Sequence, residues 1–281
     1  MKSLISRNKI KISIPKSLVK EKKVNEKKNK NEFVNDNVDK TLHKNLDFTA
    51  TEQYKLLRAN LDFTLPEDEK CPIIGITSST RGEGKSTTSV NLSYVLAEKG
   101  KRVLLIDGDL RIPSIAKKMG IDNKPGLTDL LMGREKNGRL FESKLLNNWF
   151  IIPSGEIPPN PSELLSSRRM ETFLTDMKEK FDYIVVDLPP VNIVSDAVSI
   201  AGFISGIIVV IREEYTAKKE LERCFRQLKL SNVRILGCVM NGAKSESGGY
   251  GRYRRYRYYK NYRYYHSNNY YQTNPEEEKN D

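Results

Sequence analysis

A segment that can hold the phosphates of a nucleotide lies at residues 79–87, where the sequence reads S-T-R-G-E-G-K-S-T. Gly82 and Gly84 allow backbone N–H groups to turn inward around phosphate oxygens. The Lys85 ammonium can reach the β- and γ-phosphates, and the Ser86 hydroxyl is a suitable ligand for Mg²⁺. The segment follows an apolar run and opens a helical one, which is the context that a phosphate-binding loop requires.

This loop departs from the usual pattern at one position, because Ser79 stands where the motif has its first glycine. The remaining residues predict an ATP site that uses Mg²⁺ as cofactor. The predicted nucleotide-binding residues are Arg81, Gly82, Glu83, Gly84, Lys85, Ser86, Thr87, Arg111 and Asn241.

Two further segments end an apolar run with carboxylates. Residues 104–111 read L-L-I-D-G-D-L-R, so Asp107 and Asp109 stand one residue apart, and residues 184–190 place Asp187 before L-P-P. Paired carboxylates after a strand suit metal and water coordination or proton acceptance. Either aspartate segment alone is as often a turn or a cap. Beside a phosphate-binding loop they are expected to serve Mg²⁺, which bridges phosphates and needs such acids.

The elements that must position these residues alternate along the chain. Apolar runs rich in β-branched residues predict strands at Ile73–Thr77, Val103–Asp107, Trp149–Pro153, Tyr183–Asp187, Gly206–Arg212 and Ile235–Asn241. Helical periodicity predicts helices at Thr51–Phe63, Ser86–Lys99, Pro161–Lys180 and Thr216–Leu230. Continuous apolar strands that alternate with helices indicate an α/β fold, a P-loop NTPase-like mostly parallel sheet flanked by helices on both faces. All three motifs then fall at the carboxyl ends of strands, where such sheets bind ligands.

Composition divides the 281 residues into a basic flexible arm at 1–47, a folded domain at 48–245 and a flexible Tyr-rich tail at 246–281. The net charge of +12 lies mostly at the two ends. Residues 1–30 carry eleven Lys and Arg against two Glu, and residues 250–266 carry six basic residues and no acid. Basic ends of this kind favour nucleic acid, anionic lipid or an acidic protein surface, or are simply solvated.

The tail is of low complexity, and ten of the 22 residues between 250 and 271 are tyrosine. These candidate phosphoacceptors are Tyr250, Tyr253, Tyr256, Tyr258, Tyr259, Tyr262, Tyr264, Tyr265, Tyr270 and Tyr271.

Cysteine usage and hydropathy favour the cytoplasm. The three cysteines form no C-x-x-C pair, which argues against a disulfide framework or a zinc site. No apolar stretch reaches the ~18–20 residues that a membrane helix needs. A protein of this kind that works at a membrane must be held there by something else.

Together the three motifs resemble those of the bacterial tyrosine kinases of capsule and exopolysaccharide biosynthesis. That family combines a Walker A loop, a D-x-D-x-R motif and a Walker B strand, which match residues 79–87, 104–111 and 184–189 here. Residues 126–133 and 158–165 are similar to its linking segments, and residues 52–58 to its oligomerisation helix, with Lys55 in place of an arginine. The likeness spans roughly residues 48–245.

The resemblance implies a protein tyrosine kinase that autophosphorylates its C-terminal tyrosine cluster and regulates polysaccharide synthesis and export. It assigns catalysis to Lys85, Asp107, Asp109 and Asp187, with Asp107 as the base that accepts the tyrosine proton. The metal ligands would be Ser86, Asp109 and Asp187, and the oligomerisation residues Glu52, Lys55 and Arg58.

The partners implied are other copies of the chain in a ring, a separate membrane activator or chain-length-regulator protein, and exogenous proteins phosphorylated on tyrosine. The resemblance also implies a cytoplasmic protein that this activator recruits peripherally to the inner face of the cell membrane. Two other classes stay open. A MinD- or ParA-like ATPase switch would hydrolyse ATP without kinase activity, although the signature lysine of those ATPases is Thr80 here. A nucleic-acid-binding protein could use the Arg/Tyr tail, since alternating Arg and Tyr stack on bases, but we expect no nucleic-acid partner.

Overall fold

The computed structural model describes residues 11–13, 46–66, 68–134, 137–143 and 145–243. The chain divides into two units, and the first of them ends at Asn241. The ten candidate phosphoacceptors and most of the basic arm lie outside the described residues.

A seven-stranded sheet forms the centre of the first unit. Its strands are β2 (Ile73–Ser78), β3 (Val103–Asp107), β5 (Phe141–Glu142), β6 (Trp149–Ile152), β7 (Tyr183–Asp187), β8 (Gly206–Arg212) and β9 (Ile235–Asn241). The order is β5-β6-β3-β7-β2-β8-β9, and every pair is parallel except β5 with β6. A separate short parallel pair joins β1 (Lys11–Ser13) to β4 (Asn137–Arg139). The α/β fold with a mostly parallel sheet is confirmed.

Helices cover both faces of this sheet. They are α1 (Phe48–Thr64), α2 (Lys85–Glu98), α3 (Ile115–Met119), α4 (Leu127–Met132), α5 (Pro161–Leu165), α6 (Arg168–Lys178), α7 (Asp196–Ser199) and α8 (Lys218–Leu230), with a 3₁₀ turn at Ala201–Phe203.

Alternate strand residues face opposite layers, so both faces of the sheet are apolar. In β3, Leu104 and Ile106 join the core layer that contains α4, α6 and α8, whereas Val103 and Leu105 join the layer that contains α1 and α2. Burial of both faces is the reason that these strands appear in the sequence as unbroken apolar runs.

The single helix expected at Pro161–Lys180 is wrong, because the structure divides it into α5 and α6. Ser167 adopts an extended conformation, and its hydroxyl accepts a hydrogen bond from the Met170 N–H. A serine N-cap of this kind starts a new helix and satisfies one of its unpaired N–H groups. The buried residues of α5, Pro161 and Leu165, are out of phase with those of α6, which begin at Met170, so the apolar face changes side at the break.

Candidate nucleotide and phosphoryl-transfer site

The phosphate-binding loop connects the end of β2 at Ser78 to the start of α2 at Lys85. Gly82 and Gly84 have φ values of 81° and 97°, in the left-handed region that only glycine adopts at low cost. A Cβ on Gly84 would lie 1.9 Å from Asn241 Nδ2, so glycine also permits the end of β9 to approach the loop.

A buried carboxylate braces this loop from within. Glu83 is fully buried; its Oε1 accepts hydrogen bonds from Ser79 Oγ at 2.7 Å and Thr216 Oγ1 at 2.5 Å. Its Oε2 accepts one from the Thr80 N–H at 2.8 Å. Glu83 was predicted as a nucleotide-binding residue, but its side chain makes these hydrogen bonds within the protein. The hydrogen bond from Ser79 to Glu83 uses the residue that departs from the usual motif, so that departure was the sequence feature that could have indicated this contact.

Lys85 lies between two carboxylates that come from neighbouring strands. Its Nζ donates to Asp109 Oδ2 at 2.8 Å and is 3.7 Å from Asp187 Oδ2. Ser89, one turn further along α2, donates to Asp187 Oδ1 at 3.0 Å. Residues from α2, from β7 and from the loop after β3 therefore meet at one point, as the motifs predicted.

Asp107 lies beside Asp187, because the Cα atoms of the two residues are partners in the β3–β7 register. Its Oδ2 accepts the backbone N–H groups of Ser114 and Ile115 at 3.1 and 3.0 Å, and its Oδ1 accepts that of Asp109 at 3.3 Å. The side chain is fully buried. The structure thus makes Asp107 the anchor of the loop that carries Asp109 and leads into α3.

Burial and the proximity of these charged groups shift their pKa values. Burial, and then the Asp187 charge, raise the pKa of Asp107 to about 8, against the opposing effect of the Ile115 N–H and Lys85. Burial likewise raises the pKa of Asp187, although Lys85 counteracts it. Burial lowers the pKa of the Lys85 ammonium, but attraction to Asp187 and Asp109 outweighs it, so the net shift is upward.

The expected Mg²⁺ ligands fit a metal that arrives with a nucleotide. Ser86 Oγ lies 3.4 Å from Lys85 Nζ, next to the two carboxylates. The buried Asp187 Oδ2 has no hydrogen-bond partner, and its ion-pair partner is Lys85 Nζ at 3.7 Å. Movement of Lys85 towards the phosphates would leave this oxygen to a metal-bound water. Among the described residues, no group of three or more His, Cys, Asp or Glu side chains is arranged to hold a metal. Mg²⁺ is commonly bound through one or two carboxylates together with substrate phosphates.

Arg111 does not stand alone at the rim of the site. Its Nε and Nη2 donate to the two oxygens of the buried Asp196 at 2.9 and 3.0 Å. Ser162, in α5, also donates to Asp196 at 2.5 Å and lies 3.2 Å from the Ser195 hydroxyl. The D-x-D-x-R loop is thereby fastened to α5 and α7. Asp196 was missed in the sequence, because an aspartate at the start of a short helix is usually only a cap.

Residues from β8 and β9 hold the loop from the other side. Asn241 Nδ2 donates to the Glu83 carbonyl at 3.0 Å, and an Arg212 Nη donates to the Gly82 carbonyl at 3.0 Å. The Tyr215 hydroxyl donates to the Arg81 carbonyl at 3.1 Å, and Arg212 lies over the Tyr215 ring at 5.2 Å. Arg212 and Tyr215 were not anticipated, since nothing in their spacing marks them.

The other predicted residues lie at or beyond the edge of this site. Arg81 is exposed, and Thr87 is half-buried in the first turn of α2. Glu52 and Lys55 form an exposed ion pair on α1, at 3.0 Å, whereas Arg58 donates to the Val95 carbonyl of its own chain at 2.6 Å. Within the described part of the chain, no helix is long and apolar enough to cross a membrane.

The fold and the site define a P-loop nucleotide-binding protein, and the comparisons with known proteins agree. Residues 71–235 match the model of the AAA domain family. The chain is 35% identical over 204 residues to the tyrosine-protein kinase YwqD of Bacillus subtilis, covering 72% of this chain and 86% of that protein. It is 34% identical over 238 residues to the tyrosine-protein kinase ptk of Acinetobacter johnsonii, covering 85% of this chain but only 32% of that protein.

Solved structures point the same way. The kinase domain of the Escherichia coli tyrosine kinase ETK superposes with a TM-score of 0.67 at 28% identity, covering 85% of this chain and 92% of that one. The septum site-determining protein MinD of Pyrococcus horikoshii, complexed with Mg-ADP, gives 0.53 at 27% identity, covering 63% of this chain and 72% of that one. The chain belongs to the bacterial tyrosine-protein kinases.

Proposed function

We propose that this protein transfers the γ-phosphoryl group of Mg·ATP to tyrosine, and that its own C-terminal tyrosine cluster is its first acceptor. The observation that supports this most is the meeting of Lys85, Asp109 and Asp187 in one buried cluster at the end of the phosphate-binding loop. A phosphoryl-transfer site needs a cation on the phosphates and acids for Mg²⁺ in this arrangement.

Each residue of the cluster has a proposed task. Lys85 would leave Asp109 and Asp187 to contact the transferring phosphoryl group, and Ser86, Asp109 and Asp187 would hold Mg²⁺ directly or through water. Mg²⁺ would neutralise charge on the phosphates, which is the main contribution a metal makes to a loose transition state. Backbone N–H groups between Gly82 and Ser86 would cradle the phosphates.

Asp107 is the proposed proton acceptor, but its present position limits that role. Its carboxylate is fully buried and accepts three backbone N–H groups. Accepting the phenol proton would require the loop between Gly108 and Ser114 to open, or a relay through Asp109. A loose transition state does not demand early removal of the proton, so transfer can proceed with the proton leaving late.

The test is intact mass after incubation of the purified chain with Mg·ATP. The native chain should gain phosphate in steps, and Lys85→Met should gain none. Lys99→Met is the matched control, because Lys99 forms an exposed ion pair with Asp62 away from the site and should leave the mass gain intact. If Lys85→Met gained phosphate at the native rate, the assignment of Lys85 to the phosphoryl-transfer site would be wrong.

ATP hydrolysis with no gain of mass would favour the other candidate, a MinD-like ATPase switch. The overlap with MinD gives that candidate its support, and Thr80 in place of the signature lysine counts against it.

We further propose that the chain acts in polysaccharide synthesis and export, as a cytoplasmic ring held at the membrane by a separate activator. Glu52, Lys55 and Arg58 would contribute to the ring, although Arg58 is engaged with Val95 of its own chain. A fusion of the activator's cytoplasmic terminus to this chain should phosphorylate faster than the chain alone. Equal rates with every co-encoded membrane protein would indicate an autonomous kinase.

A further inference from the structure

Three large apolar side chains are exposed on the loops that follow β3, β6 and β7. Ile112, Ile157 and Ile193 are 50%, 65% and 45% exposed. These strands lie side by side in the sheet, and their loops leave from the edge that carries Asp107, Asp109 and Asp187. We call Ile112, Ile157 and Ile193 the isoleucine rim.

Polar contacts fasten the three loops of the isoleucine rim to one another. Ile112 follows Arg111, whose guanidinium binds Asp196, and Ile193 precedes Ser195 and Asp196 by two and three residues. Ser162, which closes the loop that carries Ile157, donates to Asp196. These hydrogen bonds hold the three loops beside one another, so the three exposed isoleucines lie at the same end of the sheet.

The direction of phosphoryl transfer determines the side of the site from which the acceptor approaches. The attacking and leaving oxygens lie roughly in line through the γ-phosphorus, so the acceptor approaches from the side opposite to ADP. Asn241, a predicted nucleotide-binding residue, ends β9 on one side of the phosphate-binding loop, and β7, β3 and β6 lie on the other side. A nucleotide base placed towards Asn241 leaves the β7, β3 and β6 side to the acceptor. The isoleucine rim borders that side.

We infer that the isoleucine rim receives the phenol ring of an acceptor tyrosine presented by the tail of a second copy of this chain. This inference rests on the proposed function and deepens it. The tail has the matching chemistry, with ten tyrosines in 22 residues. Its six basic residues between 250 and 266 complement the carboxylates behind the rim. Burial of a ring against aliphatic side chains is favourable in proportion to the apolar area removed from water.

With the phenol ring bound there, the isoleucine rim would favour tyrosine over serine or threonine as acceptor. A phenol ring extends its hydroxyl past an apolar contact, whereas a short hydroxyl side chain would leave the isoleucines in water. In the step itself, a bond forms between the tyrosine oxygen and the γ-phosphorus as the bond from that phosphorus to the bridging oxygen breaks. ADP leaves with the electron pair, and the phenol proton passes to a carboxylate or to water.

The experiment uses the full-length chain with Ile112, Ile157 and Ile193 changed to Thr, which keeps β-branching and removes apolar surface. Full-length Lys85→Met is the acceptor, since its tail is intact and it is expected not to phosphorylate itself. The triple variant should raise KM for this acceptor roughly tenfold while kcat stays within about twofold, the signature of lost acceptor binding. Its Kd for ATP should not change. Leu230→Thr, at the far end of α8 and 82% exposed, is the control and should leave KM unchanged.

A second measurement separates this inference from the proposed function. Labelled peptides of residues 250–271 with every tyrosine changed to Phe or to Ser are titrated against the chain, and binding is followed by fluorescence anisotropy. The Phe peptide should bind the native chain about tenfold more tightly than the Ser peptide, and the triple variant should lose this difference. The difference can be read even if no phosphate is transferred, in which case only the proposed function fails.

Unchanged KM together with an unchanged difference between the peptides would overturn the inference. Loss of self-association in the triple variant by light scattering, with the peptide difference intact, would also overturn it and make the isoleucine rim a contact between folded subunits.

Discussion

Two lysine ion pairs of nearly equal length provide a test of what burial does in this protein. Lys85 and Asp109 are 2.8 Å apart, with side chains 12% and 6% exposed, and Lys99 and Asp62 are 2.9 Å apart, with side chains 49% and 36% exposed. Loss of one partner from a buried pair costs about 3–5 kcal/mol, because the other charge stays buried and unpaired. Loss of one partner from an exposed pair costs about 0–1 kcal/mol.

Lys85→Met should therefore lower the free energy of unfolding by about 3–5 kcal/mol, and Lys99→Met by no more than about 1 kcal/mol. The measurement is urea unfolding at pH 7.5 without nucleotide or Mg²⁺. Fluorescence of Trp149, the only tryptophan and a fully buried residue of β6, reports the transition. In a domain of this size, a difference of about 2–5 kcal/mol between the two variants corresponds to roughly 4–20 °C in Tm.

The pH dependence of this deficit has a defined sign. Lys85 holds down the pKa of Asp187, so its removal raises that pKa further. A carboxyl whose pKa is higher in the folded than in the unfolded state gains stability as pH falls, since folding then takes up a proton. The deficit of Lys85→Met should shrink between pH 8 and pH 5, and Asp109→Asn added to Lys85→Met should recover part of it. Equal deficits for the two lysine variants, or a deficit that grows on acidification, would refute the argument.

Three other variants test single features of the site. The free energy of unfolding of the nucleotide-free protein should fall between pH 4 and pH 8, because the Asp107 carboxyl has a pKa of about 8 and is stabilising only while protonated. Asp107→Asn should make this fall smaller, as measured by urea unfolding across the same pH range. Glu83→Ala leaves three donors unpaired and should weaken ATP binding about tenfold or more, as measured by calorimetry. Glu83→Gln should have an intermediate effect, because its amide nitrogen cannot accept a hydrogen bond from an N–H. Arg111→Ala should lower the free energy of unfolding about 2–3 kcal/mol more than Asp196→Asn does, because it leaves the buried Asp196 carboxylate unpaired. The double variant should have a free energy of unfolding close to that of Asp196→Asn.

The sequence was sufficient to predict most strands and the edge at which they bring chemistry together. Tyr183–Asp187 and Val103–Asp107 begin and end where the apolar runs do, because the aspartate that ends each strand lies at the carboxyl edge of the sheet, where such sheets bind ligands. The acids, the loop lysine and the helix behind it follow from the same rule. Self-association, metal binding and the tail lie beyond what the described residues test, and they stay predictions.

The contacts that the sequence did not reveal depend on partners distant along the chain. The Glu83 side chain is fixed by Thr216, 133 residues away, and Arg111 by Asp196, 85 residues away. Neither spacing has a periodicity that a local pattern could show. The division of α5 from α6 has a local cause instead, the serine cap at Ser167, and the buried positions change phase between Leu165 and Met170.

The strand order makes Asp187 the residue on which the other charges of the site depend. Because β7 lies between β3 and β2, Asp187 is paired in register with Asp107 on one side and lies 3.7 Å from Lys85 on the other. Its charge is one cause of the raised pKa of Asp107. Asp187→Asn should therefore lower the pKa of Asp107 from about 8, because a neutral neighbour no longer opposes ionisation. A carbon-13 carboxyl NMR titration, assigned with Asp107→Asn, measures this pKa directly. An unchanged pKa would mean that burial alone controls Asp107 and that the β3–β7 register contributes nothing to its charge state.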